Sequence, residues 1–213
     1  MSRGEETMEM ESTINFLKEI EKFKTCEREC QTTRAGRAES DAEHSWHLAL
    51  FLILLEDELG DIDFTRLLKL ALIHDLPEIY AGDTNPYRDD TTDKEEKEKD
   101  AAAKLFSMLP ESASKGLNAL FNEYIDQESP ESRLVKSADK LMPLIQNLCT
   151  NDSHSSYRKL KVGYREVQEY MGKYFSGGIL EQYYQRLLCM QDTVKPDPGP
   201  QAFGILPELQ QGS

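Results

Sequence analysis

Five side chains carry most of the chemistry this sequence offers: His44, His74, Asp75, Glu78 and Asp139. Three of them close the stretch Leu70-Ala71-Leu72-Ile73-His74-Asp75-Leu76-Pro77-Glu78, where an apolar run ends in one imidazole and two carboxylates. Such a run belongs in a core, and ionisable groups there are costly unless they are satisfied or put to use. His44 and Asp139 also lie within strongly apolar segments. Two imidazoles and two carboxylates make a mixed nitrogen and oxygen donor set, suited to one divalent Mn, Co, Fe, Ni or Zn ion more than to Ca. Taken singly, each residue reads more readily as a core polar group bonded to backbone. The adjacent pair His74-Asp75 says more. Successive helical residues point about 100° apart, so a single cation serves both only at the edge between them.

The elements that must bring these residues together are helices. Ile14, Leu17, Ile20 and Phe23 form one apolar stripe, which predicts a helix over 12–26. Residues 27–39 are polar and read as a loop. Ser40 and Glu43 form a capping box that opens a helix running to about Glu58 and stopped by Gly60. That helix carries His44 and His47 on one face and is apolar almost all round, which predicts a central position. Asp63 caps the helix that holds the 70–78 stretch, with Pro77 and Gly82 limiting its extent. Further helices are expected at 95–108, 111–126, 130–149, 164–175 and 179–191, with Ser129 and Pro130 as cap and first residue of the one that carries Asp139. No stretch alternates with period two. The fold class expected is all-α, a single-domain helical bundle of roughly eight helices. Residues 1–11 are expected as a flexible N-terminus, 12–192 as the domain, and 193–213 as a Pro-rich tail.

Of 213 residues, 38% are hydrophobic and 30% charged, enough apolar content for a core. The net charge of -14 argues against general binding to nucleic acid or an anionic membrane surface. It leaves room for a small anionic substrate, because a metal and one or two arginines invert the local field. The N-terminal residues carry neither the basic nor the apolar region of a signal peptide. The longest apolar run, Leu48 to Leu55, is too short to span a bilayer. Cys26, Cys30, Cys149 and Cys189 have no CxxC spacing, although Cys26 and Cys30 would share a helix face. The cytoplasm is the default compartment.

Three segments together resemble the HD-domain phosphohydrolases: Arg37 to His47, then Leu72-Ile73-His74-Asp75-Leu76-Pro77-Glu78 with Ala81-Gly82-Asp83-Thr84, and Ala138-Asp139-Lys140-Leu141. Within that superfamily they look most like the branch holding the bacterial and human 5′-deoxynucleotidases. The resemblance covers residues 12 to about 150 well and the remainder poorly. It implies that His44, His74, Asp75 and Asp139 bind one divalent metal and that Glu78 is the catalytic acid/base. It matches Asp83 to a residue that meets the sugar hydroxyl, with Thr84 beside it. It also implies an arginine for the phosphate, after the first helix. Arg28 aligns best with that position, and Arg34 and Arg37 compete with it. A Trp follows this Arg in the family branch, whereas Glu29 stands here, which puts selectivity against ribonucleotides in question. His47 is read as packing or supporting a ligand.

The activity implied is hydrolysis of deoxyribonucleoside 5′-monophosphates to nucleoside and phosphate, assisted by a metal that acidifies water. Two alternatives remain: an HD hydrolase of another nucleotide or phosphate ester, and a non-catalytic helical binding module stabilised by a metal. Glu78, superfluous to a four-ligand site, speaks against the last. Members of the family are often dimers. Tyr170, Tyr174, Phe175, Tyr183 and Tyr184 offer an aromatic surface for a homodimer, or else cover the chain's own core.

Overall fold

The structure, a computed structural model, describes residues 3–32, 36–89, 91–150 and 155–192. Among the described residues, ten α-helices follow one another: α1 (Arg3–Glu19), α2 (Asp41–Leu54), α3 (Phe64–Ile73), α4 (Glu78–Ala81), α5 (Lys94–Phe106), α6 (Glu111–Asp126), α7 (Pro130–Cys149), α8 (Ser156–Leu160), α9 (Tyr164–Met171) and α10 (Gly178–Asp192). Eight of them have eight residues or more, as the helical periodicity predicts. Among the described residues, no helix is long and apolar enough to cross a membrane.

Each helix that carries a site residue starts from a local signal. At α2, the Ser40 hydroxyl accepts from the Glu43 amide, and the Ser40 amide donates to the Glu43 carboxylate at 3.0 Å. At α3, the Asp63 carboxylate accepts from the Arg66 amide at 2.9 Å. At α7, Ser129 caps and Pro130 occupies the first turn, where its missing N–H is no loss. Caps of this kind are worth about 1 kcal/mol each. One bond ties two of these starts together: the Asp63 amide donates to Glu131 Oε1 at 2.8 Å, linking α3 to α7.

The core sits where α2, α3, α6 and α7 meet. Leu48 and Leu52 of α2, Leu67 and Leu70 of α3, Phe121 of α6, and Val135 and Leu141 of α7 are all buried within it. Truncating any of these leucines to Ala costs about 2–5 kcal/mol. α2 is less enclosed than its composition predicts. Trp46 (64% exposed) and Leu54 (73% exposed) stand in solvent on the side away from the core, with Leu50 and Ile53 partly open beside them.

Four local expectations need correction. Residues 27–39 are not simply a loop: β1 (Glu27–Gln31) pairs antiparallel with β2 (Ala38–Ser40) through an irregular register. Cys26 and Cys30 therefore share no helix face, and both are free thiols. The first helix begins at Arg3 instead of residue 12 and tightens into a 3-10 turn over Ile20–Thr25. α3 stops at Ile73, and a turn carries His74 to Pro77 into the short α4. Between the helices expected at 130–149 and 164–175, Ser156–Leu160 forms the short α8. The C-terminal rings pack on their own chain, with Phe175 stacked on Tyr184 at 4.3 Å and Tyr183 edge-on to Phe51 at 5.3 Å.

Candidate active site

The hairpin is what aims the first residues of the site. β2 runs directly into α2, so strand pairing fixes the start of that helix against β1, and the Asp41 amide donates to the Cys26 carbonyl at 3.0 Å. Arg28 projects from β1 toward Asp41 in the first turn of α2, and His44 follows three residues on. His74 and Asp75 lie in the turn just beyond α3, where the apolar run of that helix delivers them to the core. Asp139 comes from the middle of α7, flanked by buried Ala138 and Leu141.

These elements bring His44, His74, Asp75 and Asp139 together, with one ligand atom from each lying within 4.8 Å of the others. His44 Nε2 is 3.1 Å from Asp139 Oδ1 and 3.8 Å from Asp75 Oδ2. His74 Nε2 is 3.0 Å from Asp75 Oδ2 and 3.9 Å from Asp139 Oδ1. The opposite nitrogen of His74, Nδ1, lies 2.9 Å from the Ala71 carbonyl, which only accepts, so Nδ1 carries the hydrogen. Nε2 is buried without an aligned hydrogen-bond partner, although a carboxylate is close.

The electrostatics of the four residues ask for a positive charge at their centre. Burial lifts the Asp75 and Asp139 carboxyls, but His74 for Asp75 and Lys140 for Asp139 outweigh it, so both are held below the usual carboxylate range. Burial, with Arg28 nearby, pulls His44 down to about 4, leaving it a neutral imidazole with a lone pair to give. Burial pulls His74 the same way, yet Asp75 and Asp139 raise it to about 9. The pocket thus favours a proton on Nε2, the nitrogen nearest the two carboxylates. A divalent cation held by two imidazole nitrogens and two ionised carboxylates would replace that proton, so the donor set fits a metal.

Glu78 stands on the other side of Asp75. Asp41, Asp75 and Glu78 form a second close group, each with an oxygen within 4.8 Å of the others. Arg28 Nη1 answers part of this charge, donating to Asp75 Oδ2 at 2.8 Å and Asp41 Oδ1 at 3.3 Å. One oxygen of Asp41 and one of Glu78 remain buried with no partner. Burial, then the Asp75 charge, pushes Asp41 up to about 7 and Glu78 well above an ordinary carboxyl. Both effects favour the protonated form of Glu78.

A cavity of about 570 Å³ opens onto both groups. Arg28, His74, Asp75, Glu78 and Asp139 line it, and so do Asp83 and Thr84. Gly82, with φ at 76°, turns the chain out of α4 and so presents those two residues. Burial raises the Asp83 carboxyl somewhat. Arg37 lies away from this cavity and pairs instead with Glu43 at 2.8 Å. Arg34 lies outside the described residues. His47 stacks on Trp46 at 5.9 Å and does not line the cavity. Glu29 faces Arg88 at 3.1 Å.

Sequence reasoning missed several residues here. Lys140 donates to Asp139 Oδ2 at 2.7 Å, and the ring of Tyr124 packs edge-on to His74 at 5.3 Å. Lys94 and Lys136 also line the cavity. Neither lysine of α7 stands out in the sequence, because lysines on an amphipathic helix ordinarily mark its solvated face.

Comparison with known proteins agrees with this geometry. A family model described as HD domain matches residues 20–181. The 5′-deoxynucleotidase HDDC2 of Danio rerio is 31% identical over 139 residues, covering 64% of this chain and 68% of the relative. Its Homo sapiens counterpart is 32% identical, covering 63% and 66%. The crystal structure of a predicted metal-dependent phosphohydrolase from Magnetospirillum magnetotacticum superposes with a TM-score of 0.76 at 33% identity, covering 85% of this chain and 94% of that one.

Proposed function

The chain belongs to the HD-domain family, and from that premise we propose that it is a metal-dependent phosphomonoesterase that hydrolyses deoxyribonucleoside 5′-monophosphates. His44, His74, Asp75 and Asp139 would hold the ion, and their mixed donors suit Mn, Co, Fe, Ni or Zn. When bound, such an ion supplies Lewis acidity toward water and the phosphoryl oxygens.

The chain's own residues account for the remaining needs of the reaction. Glu78, kept protonated by burial and by Asp75, donates its proton to the departing 5′ oxygen of the sugar. Arg28 has further N–H groups beyond the one engaged by Asp75 and Asp41, and these meet the phosphoryl oxygens as charge gathers there. Asp83 accepts a hydrogen bond from a sugar hydroxyl, with Thr84 beside it.

One observation carries this reading. Glu78 is 5% exposed, has an unpartnered oxygen, faces the same cavity as the metal ligands, and is not needed to complete a four-ligand site. A purely structural metal site has no use for a buried carboxylic acid next to it. The test is phosphate release from a panel of deoxynucleoside and ribonucleoside monophosphates with Mn²⁺ or Co²⁺. Glu78→Gln should lower turnover by about 10²–10⁴-fold with the metal still bound. Metal retention without turnover of any phosphate ester by the unaltered protein would overturn the proposal.

A further inference from the structure

Five cationic side chains line this cavity. Arg28 is engaged by Asp75 at 2.8 Å and Asp41 at 3.3 Å. Lys140 is engaged by Asp139 at 2.7 Å. Lys94 is engaged by Glu98 at 3.1 Å. Lys136 is different: among the described residues its ammonium has no carboxylate partner, and its recorded contact is the face of the Tyr124 ring, 4.5 Å away. Lys173 also lines the cavity and rests on Tyr170 and Tyr174, but it is exposed, where water screens its charge.

The place of Lys136 in the fold is as telling as its lack of a partner. It lies three residues before Asp139 on α7, so both belong to the same helix face. Tyr124, on which it rests, packs edge-on against the His74 ring at 5.3 Å. A chain of direct contacts therefore leads from the ammonium to the metal-ligand cluster. Burial, and next the Lys140 charge, pull its pKa below that of an ordinary lysine, outweighing the more distant Asp139, Glu98 and Asp75 carboxylates. A phosphate monoester brings a charge of about -1.5 to -2 near neutral pH. Arg28 already shares its charge between two carboxylates, and the ion would share its charge with two more.

We propose that Lys136 is a phosphate-binding residue, the cation of this cavity left open for the substrate's phosphoryl oxygens, with Tyr124 holding its ammonium in place. The inference rests on the phosphomonoesterase reading above. It also assigns Arg28 a second duty, that of keeping Asp75 and Asp41 in position.

Inorganic phosphate is the probe, measured by calorimetry on the metal-loaded protein so that binding is read without turnover. Lys136→Met keeps the length and apolar stem of the side chain and should weaken phosphate binding by about 10- to 100-fold. Lys136→Arg should stay within about threefold of the unaltered protein. Metal content should be equal in all three. Undiminished phosphate binding by Lys136→Met would overturn the assignment. So would equal loss of phosphate and of metal in both variants, because that pattern belongs to a structural lysine. If the unaltered protein binds phosphate yet hydrolyses no monoester, the proposed function fails while the lysine assignment is still decided by the same titration.

Discussion

Two groups of buried ionisable residues share Asp75, and they solve the same electrostatic problem in different ways. On one side, Asp75 meets His44, His74 and Asp139; on the other, it meets Asp41 and Glu78. The first group mixes nitrogen and oxygen donors, and its carboxylates are held below the usual range, a setting that favours positive charge beside His74 Nε2. The second is made of carboxylates alone. Arg28 offsets part of its charge, and burial together with the neighbouring carboxylates raises Asp41 and Glu78 toward their protonated forms. The lesson is that adjacent acidic residues are not equivalent: imidazole neighbours prepare a cation site, and carboxylate neighbours prepare a proton donor.

The sharpest way to break this comparison is to remove one carboxylate from each group. Asp139→Asn should lose the bound metal and about 10³-fold or more in kcat/KM, because several kcal/mol of charge stabilisation go with the ion. Asp41→Asn should keep the metal, measured by elemental analysis, and lose less activity. Equal metal loss in both would erase the distinction. The next effect is thermal. Metal added to the stripped protein at about 100 times its dissociation constant should stabilise it by about 2.7 kcal/mol, which for a chain of this size is a rise in Tm of about 5–10 °C. The Asp139→Asn protein should not respond.

A smaller effect sharpens the account of the carboxylate side. Glu39 lies 4.0 Å from Arg28 and is 5% exposed; burial raises it from 4.5 to about 6 despite that arginine. Its neutral form is the one the fold prefers, so its contribution to stability is fully present below 4.5 and lost as pH rises through about 6. Glu39→Gln should therefore gain about 2 kcal/mol at pH 8, and the gain should vanish below pH 4.5, as read by denaturant unfolding at both. The smallest effect has the opposite sign. The Arg37 hydrogen bond holds Glu43 down to about 2, so its contribution is present above 4.5 and lost as pH falls through about 2. Both partners are more than a third exposed, so Glu43→Gln should cost less than about 1 kcal/mol at pH 7.

The metal side of the comparison was legible in the sequence because its residues are out of place there. A histidine and an aspartate ending Leu-Ala-Leu-Ile, or an aspartate between Ala138 and Leu141, stand out against an apolar face. The helices that carry them were legible for the same reason, as apolar periodicity and cap residues mark α6 and α7 to within a residue or so. The hairpin was not legible. Glu27–Gln31 is polar, half-exposed and held by backbone pairing, which leaves no alternating signature. Lys136 and Lys140 were equally hidden, because lysines on an amphipathic helix usually mark the solvated face. Only the packing of Tyr124 and Asp139 shows that these two turn toward the cavity. Asp41 sits in the first turn of α2 just after the Ser40 cap, and its closeness to Asp75 and Glu78 depends on the turn after α3 meeting that helix from elsewhere.

α7 runs as one helix from Pro130 to Cys149 although Pro143 lies inside it. Proline has no amide hydrogen, and the carbonyl four residues before it belongs to Asp139. The backbone ladder thus lacks its usual rung at the metal-ligand position. Protection against amide exchange should divide there: the segment before Asp139, which packs on the leucine core, should open only with the whole molecule, while the turns after Pro143 open on their own at lower free energy. A bound cation anchored at Asp139 would merge the two segments into one cooperative unit, so the exchange map of a single helix would report occupancy of the site.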